Sequence, residues 1–90
     1  MTTTAIAAVA PRRRNTVRGE IVSVASYQRP FMRTDAVVGD GTGALLLRFL
    51  GRNTVPGLAV GRRVIAQGTP GLVRGAVVMV NPLYSFVTAE

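Results

Sequence analysis

The chain contains no cysteine, no histidine, no tryptophan and no lysine. Without cysteine there is no disulfide framework and no thiolate metal site. Without histidine the other usual zinc ligand is missing, and so is the commonest general base near neutral pH. Carboxylates are scarce too, only Glu20, Asp35, Asp40 and Glu90. These absences leave no catalytic residue to assign and no metal or cofactor to expect, so an enzyme is not the expected reading. Long apolar runs are also lacking, and no window approaches the roughly 20 residues that a membrane-spanning helix needs. The opening MTTTAIAAVA has an apolar stretch only at residues 5–10, and its basic cluster follows that stretch rather than preceding it. A secretory signal has the opposite order and a longer apolar region. Cytoplasmic residence without a membrane partner is therefore expected.

What the chain does have is arginine. All eleven basic residues are arginines, and the net charge is +7. A surface this positive attracts polyanions, and guanidinium groups bind phosphate bidentately and stack on bases. At 90 residues with 48% hydrophobic content, the chain suits one small domain, which buries roughly 60–65% of its unfolded surface.

Residues 1–15 read as a flexible basic N-terminal tail ending in Pro11, Arg12, Arg13, Arg14 and Asn15. This charge run is either a solvated terminus or an electrostatic arm that follows phosphates. Residues 16–87 read as the folded domain and residues 88–90 as a C-terminal end. From Thr16 onward the pattern is β. Residues 16–27, TVRGEIVSVASY, are rich in valine, threonine and serine and carry no helical stripe. Gly19 in this long strand predicts a bend or bulge. Further strands are expected at residues 33–38, 44–50, 62–67 and 75–81, with a last extended piece at 83–87. Residues 51–61 hold Pro56, Gly57 and Gly61, which allows a short helical turn but no long helix. Five short strands with ten glycines predict an all-β small barrel.

Between the second and third strands lies VGDGTGA, residues 38–44. Taken literally, residues 39–44 fit the G-x-G-x-x-A fingerprint of dinucleotide-binding folds. That fingerprint needs a helix opening within the glycines and an acid about 20 residues later. Here the following run closes at Gly51, and no acid occurs between Asp40 and Glu90. A P-loop needs a lysine, and a calcium loop needs further acids. Asp40-Gly41 between two β runs is instead a hairpin turn signal. The turn fixes the register, placing Leu45, Leu47 and Phe49 toward the core and Leu46 and Arg48 outward.

Several segments, taken in order, resemble OB-fold nucleic-acid-binding domains, in particular the wedge domain of branch-migrating helicases and related anticodon-binding-like domains. Val38, Asp40, Thr42, Gly43, Leu45, Leu47 and Phe49 are similar to the family's V-x-D-x-T-G-x-L-x-L-x-F hairpin. Residues 16–21, TVRGEI, resemble its opening V-x-G-x-V strand. Residues 58–64, LAVGRRV, resemble the L-x-x-G-x-x-V entry to its fourth strand, with Gln67-Gly68 as the turn after it. Residues 78–84, VMVNPLY, resemble the end of its fifth strand. The likeness spans about residues 16–84, as a stand-alone small protein. It implies a five-stranded Greek-key OB-fold barrel, here with little or no helix between strands three and four.

The resemblance also implies a binding face on the second and third strands, flanked by two loops. The first loop, residues 27–33 (YQRPFMR), offers Tyr27, Arg29, Phe31 and Arg33 for base stacking and phosphate contact. Alternatively, Phe31 and Met32 tuck under the barrel as a plug. Arg48 points outward near Arg33, either onto the binding face or as an ordinary solvated strand residue. Arg74 sits in the second loop, residues 69–75, and Arg52 follows the third strand. Arg12, Arg13 and Arg14 complete the candidate nucleic-acid-binding set. Arg62 and Arg63 read as a charged rim on the far side. The expected function is modest, salt-sensitive binding of nucleic acid, single-stranded or branched DNA first and RNA second. The alternative is a protein-interaction or homo-oligomerisation module whose arginines face acidic partners.

Overall fold

The structure, a computed structural model, describes residues 2–88. Met1 and the last two residues of the expected C-terminal end lie outside the described residues. The fold is all-β. Its strands are β1 (Asn15–Tyr27), β2 (Arg33–Gly39), β3 (Ala44–Leu50), β4 (Arg63–Gly68), β5 (Gly71–Val73), β6 (Ala76–Val80) and β7 (Leu83–Phe86). They form one mixed sheet in the order β5-β6-β3-β2-β1-β4-β7. Among the described residues no helix is long and apolar enough to cross a membrane.

The long β1 organises the sheet because its two halves pair with different partners. Residues 15–20 run antiparallel to β4, and residues 20–27 run antiparallel to β2. The register shifts between Ile21 and Ser23, leaving Val22 as the extra residue, 52% exposed. The bulge therefore lies three residues beyond Gly19, where the sequence placed it. Gly19 has another role, close approach. A Cβ there would lie 2.6 Å from the Gly39 carbonyl oxygen and 2.6 Å from a Val38 methyl carbon.

The expected five-stranded closed barrel is not what the strand pairing shows. Seven strands are present, and among the described residues the ladder stays open between β5 and β7. The free side of β4 is taken by β7 and that of β6 by β5. The sheet nevertheless curls around one core, in which Val17, Ile21 and Val64 join Leu45, Leu47, Phe49 and Met79. Leu45, Leu47 and Phe49 face inward as the turn register predicts, each no more than 3% exposed. Across the open seam Met79 packs on Gly68, where an added Cβ would sit 3.0 Å from its Cγ. Between β3 and β4 there is no helix. Val55, 5% exposed, enters the core from this connection, and Leu58 packs beside it.

The segment expected as a tail contributes to the core. Ile6, in a 3₁₀ turn (Ile6–Ala8), is 5% exposed and belongs to the central cluster. The Thr4 N–H donates to the Thr16 carbonyl at 2.7 Å, and the Arg12 N–H to the Pro70 carbonyl at 2.8 Å. Packing thus begins before Thr16, although Arg12, Arg13 and Arg14 stay exposed.

Candidate functional site

Antiparallel pairing of β2 and β3 sets Arg33 opposite Leu50 and Asp35 opposite Arg48. β1 extends these rows, with Tyr27 opposite Arg33 and Ala25 opposite Asp35. Parallel pairing of β6 with β3 brings Val80 beside Arg48. Successive strand residues face opposite sides, and the intervening residues Thr34, Ala36, Leu47 and Phe49 are buried. The named residues therefore share the outer face.

At the centre of this face Asp35 joins two arginines. Its Oδ1 accepts from Arg48 Nε at 3.0 Å, and its Oδ2 accepts from Arg48 Nη2 at 3.1 Å and from Arg33 Nε at 3.3 Å. The three side chains are only 12–16% exposed. Two cations around one anion leave a local charge of +1 (2 − 1). The Asp35 hydrogen bond holds the Arg48 guanidinium pKa above its ordinary value, against a smaller opposing effect of burial. Arg48 therefore stays charged at any working pH.

Arg33 also organises the first loop. Its guanidinium carbon lies 4.3 Å from the Tyr27 ring centroid and 5.0 Å from that of Phe31, within cation–π range. Its Nη1 donates to the Arg29 carbonyl at 3.4 Å. The rings are thus fixed by the neighbouring cation while their other surfaces stay open. Phe31 is 45% exposed and Met32 41%, so the plug alternative does not hold.

The second flank is more ordered than a loop. β5 and β6 form a hairpin with Val73 opposite Ala76, turned by Arg74 and Gly75. Both turn residues have positive φ, 51° and 82°, as a two-residue primed turn requires. The hairpin carries Arg74 to the edge of an open groove of about 610 Å³. Pro30 and Phe31 form one wall, and Arg33, Arg48 and Leu50 form the floor. Val73, Arg74 and Val80 form the opposite wall.

Four of the ten sequence candidates, Phe31, Arg33, Arg48 and Arg74, line this groove, and Tyr27 joins them through Arg33. Arg29 supports the loop through its carbonyl, and its exposed side chain does not line the groove. Arg52 is exposed outside it, with its carbonyl accepting from Thr34 Oγ1 at 2.8 Å. Arg12, Arg13 and Arg14 likewise do not line it. Arg62 lies 4.0 Å from the Phe86 ring centroid and donates to the Gly57 carbonyl, clipping the β3–β4 connection to β7. Asp35, Leu50, Val73 and Val80 were not among the candidates. Counting back from the Asp40 turn would have placed Asp35 directly between Arg33 and Arg48.

The glycine-rich turn offers no anion cradle, because it holds an anion of its own. Asp40 Oδ1 accepts from the Thr42 N–H at 2.9 Å and the Thr42 hydroxyl at 2.6 Å, and its Oδ2 accepts from the Ile6 N–H at 2.9 Å. These bonds, the Thr42 hydroxyl first among them, lower the Asp40 pKa from 3.8 to about 2. The Ala7 N–H is taken by Thr42 Oγ1 at 3.1 Å.

No protein-family model matches the chain, and no curated protein matches it.

Proposed function

We propose that this protein is a non-enzymatic nucleic-acid-binding domain of the OB-fold type. Its ligand on this reading is single-stranded or branched DNA, with RNA as the second choice. The observation that carries the reading is the groove itself. It combines an exposed ring, Phe31, with three guanidinium groups, Arg33, Arg48 and Arg74, between a loop and a hairpin. Rings stack on unpaired bases for about 1–3 kcal/mol each, and arginines contact phosphate or stack beside them. The pairing of β1 with both β2 and β4 supports an OB-like plan, a partly open five-stranded barrel. On this reading β1, β2, β3, β4 and β6 are its strands, and β5 and β7 are additions. Few aromatics and the partial neutralisation of Arg33 and Arg48 by Asp35 favour modest, salt-sensitive affinity.

Titrating labelled single-stranded and duplex oligonucleotides at two salt concentrations tests the proposal. Binding should favour the single strand, weaken steeply with salt and fall on Phe31→Ala. Absence of binding at low salt would sink it.

A second reading rests on the open sheet edges. β5 presents Leu72, 61% exposed, and β7 presents Leu83, 66% exposed. Free edges with apolar side chains suit protein contacts. Concentration-dependent association in a sizing experiment, without nucleic-acid binding, would favour this second reading.

A further inference from the structure

We propose that the Asp35–Arg48 pair makes the groove floor a base-reading site selective for guanine, with Arg74 holding phosphate at the rim. This rests on the nucleic-acid reading above and adds to it the base that the site prefers.

The first observation is which edge of Arg48 is used. Asp35 takes Nε and Nη2, and Arg48 makes no other side-chain hydrogen bond among the described residues. A guanidinium has five N–H donors in a fixed fork. The Asp35 contact leaves the Nη1 donors and the second Nη2 donor for a ligand. Two of these lie side by side on the end of the fork, and the bidentate contact on the adjacent edge fixes the plane in which they point.

The second observation is where the negative charge sits. Asp35 occupies the neighbouring edge of the same guanidinium, sharing Nη2 with the free edge, so a phosphate bound there would lie beside a carboxylate. An uncharged acceptor pair meets no such repulsion. Arg33 is a poorer reader, since its Nε is on Asp35, its Nη1 is on the Arg29 carbonyl, and Tyr27 and Phe31 lie against its guanidinium. The apolar surfaces of Phe31, Leu50 and Val80 flank the Arg48 position and suit a flat base better than a hydrated phosphate. Guanine presents two adjacent acceptors, O6 and N7, the commonest partners of an arginine fork; unpaired cytosine offers N3 and O2 as the other such pair, and adenine and thymine offer none. Arg74, at the hairpin tip, has no side-chain partner among the described residues and no acid beside it in sequence, and it suits phosphate.

The test measures anisotropy of a labelled all-thymine strand and of the same strand carrying isolated guanines, spaced so that guanine runs are avoided. The wild-type protein should bind the guanine strand roughly tenfold more tightly, the order expected of one bidentate base contact. Replacing guanine by 7-deazaguanine, which lacks the N7 acceptor, should remove most of that ratio. Arg48→Lys, which keeps the charge and loses the fork, should bring the ratio close to one, while Arg74→Ala should weaken both strands alike and leave the ratio in place. Equal affinity of the wild type for both strands overturns the inference while leaving the nucleic-acid reading standing. A ratio that survives 7-deazaguanine or Arg48→Lys overturns it as well. Failure to bind either strand overturns the nucleic-acid reading itself.

Discussion

The Asp40 carboxylate accepts the backbone N–H of Ile6 across 34 positions of sequence, at 2.9 Å. A turn residue thereby fastens the N-terminal segment over the β2–β3 hairpin. Because the pKa of Asp40 is lowered to about 2, its ionised form is favoured in the folded state. The resulting stability is fully present above the ordinary carboxylate value of 3.8 and is lost as pH falls toward about 2. Asp40→Ala should lower the urea midpoint at neutral pH and flatten the acid dependence across that window. Denaturant titrations of both proteins from neutral to acid pH check this. An unchanged acid profile would remove Asp40 from the account.

Ile6 is the apolar counterpart of that fastening. Its side chain is 5% exposed within the main cluster, and truncating a buried isoleucine to alanine costs about 2–5 kcal/mol. Ile6→Ala should fall in that range by denaturant unfolding. A change below about 0.5 kcal/mol, usual for surface substitutions, would mean that the segment is not seated in the core.

Gly19 should be intolerant of any side chain. Both close neighbours of an added Cβ stand at 2.6 Å, and one is the backbone oxygen of Gly39, which cannot swing aside. Gly19→Ala should destabilise by about 1–3 kcal/mol, the usual cost of forcing extra volume into a packed site. Thermal unfolding compared with Gly41→Ala checks the mechanism. Gly41 has φ 88° and nothing within 4 Å of an added Cβ, so its cost is conformational alone.

Arg74 gives a prediction for the ligand rather than the fold. Placed at a hairpin tip on the groove wall, it should contribute one phosphate contact. Arg74→Ala should reduce the slope of log affinity against log salt by about 1 and leave thermal stability nearly unchanged. Binding isotherms at several salt concentrations measure that slope.

The parts of this molecule that were legible in the sequence are those written in strict alternation. Leu45, Leu47 and Phe49 alternate behind an Asp-Gly turn, and both their strand and their inward face follow from that pattern. Ile6 was not legible, because one isoleucine among alanines and threonines has no period to read. β5 was hidden for a similar reason, since three residues between Pro70 and Arg74 look like loop until β6 pairs with them. The groove's first flank was readable as a loop rich in arginine and aromatics, and its second as a loop carrying Arg74. Of its floor, Arg33 and Arg48 were readable as neighbours across the hairpin, whereas Asp35 was missed because its place emerges only when the two strands are paired by counting back from the Asp40 turn.

Backbone chemical-shift mapping of the labelled protein, with an unstructured single-stranded oligonucleotide, tests the central claim most directly. The account predicts saturable shifts confined to residues 27–35, 48–50 and 73–80, the stretches that build the groove. Shifts centred on β7 and the β3–β4 connection, or none at low salt, would contradict it.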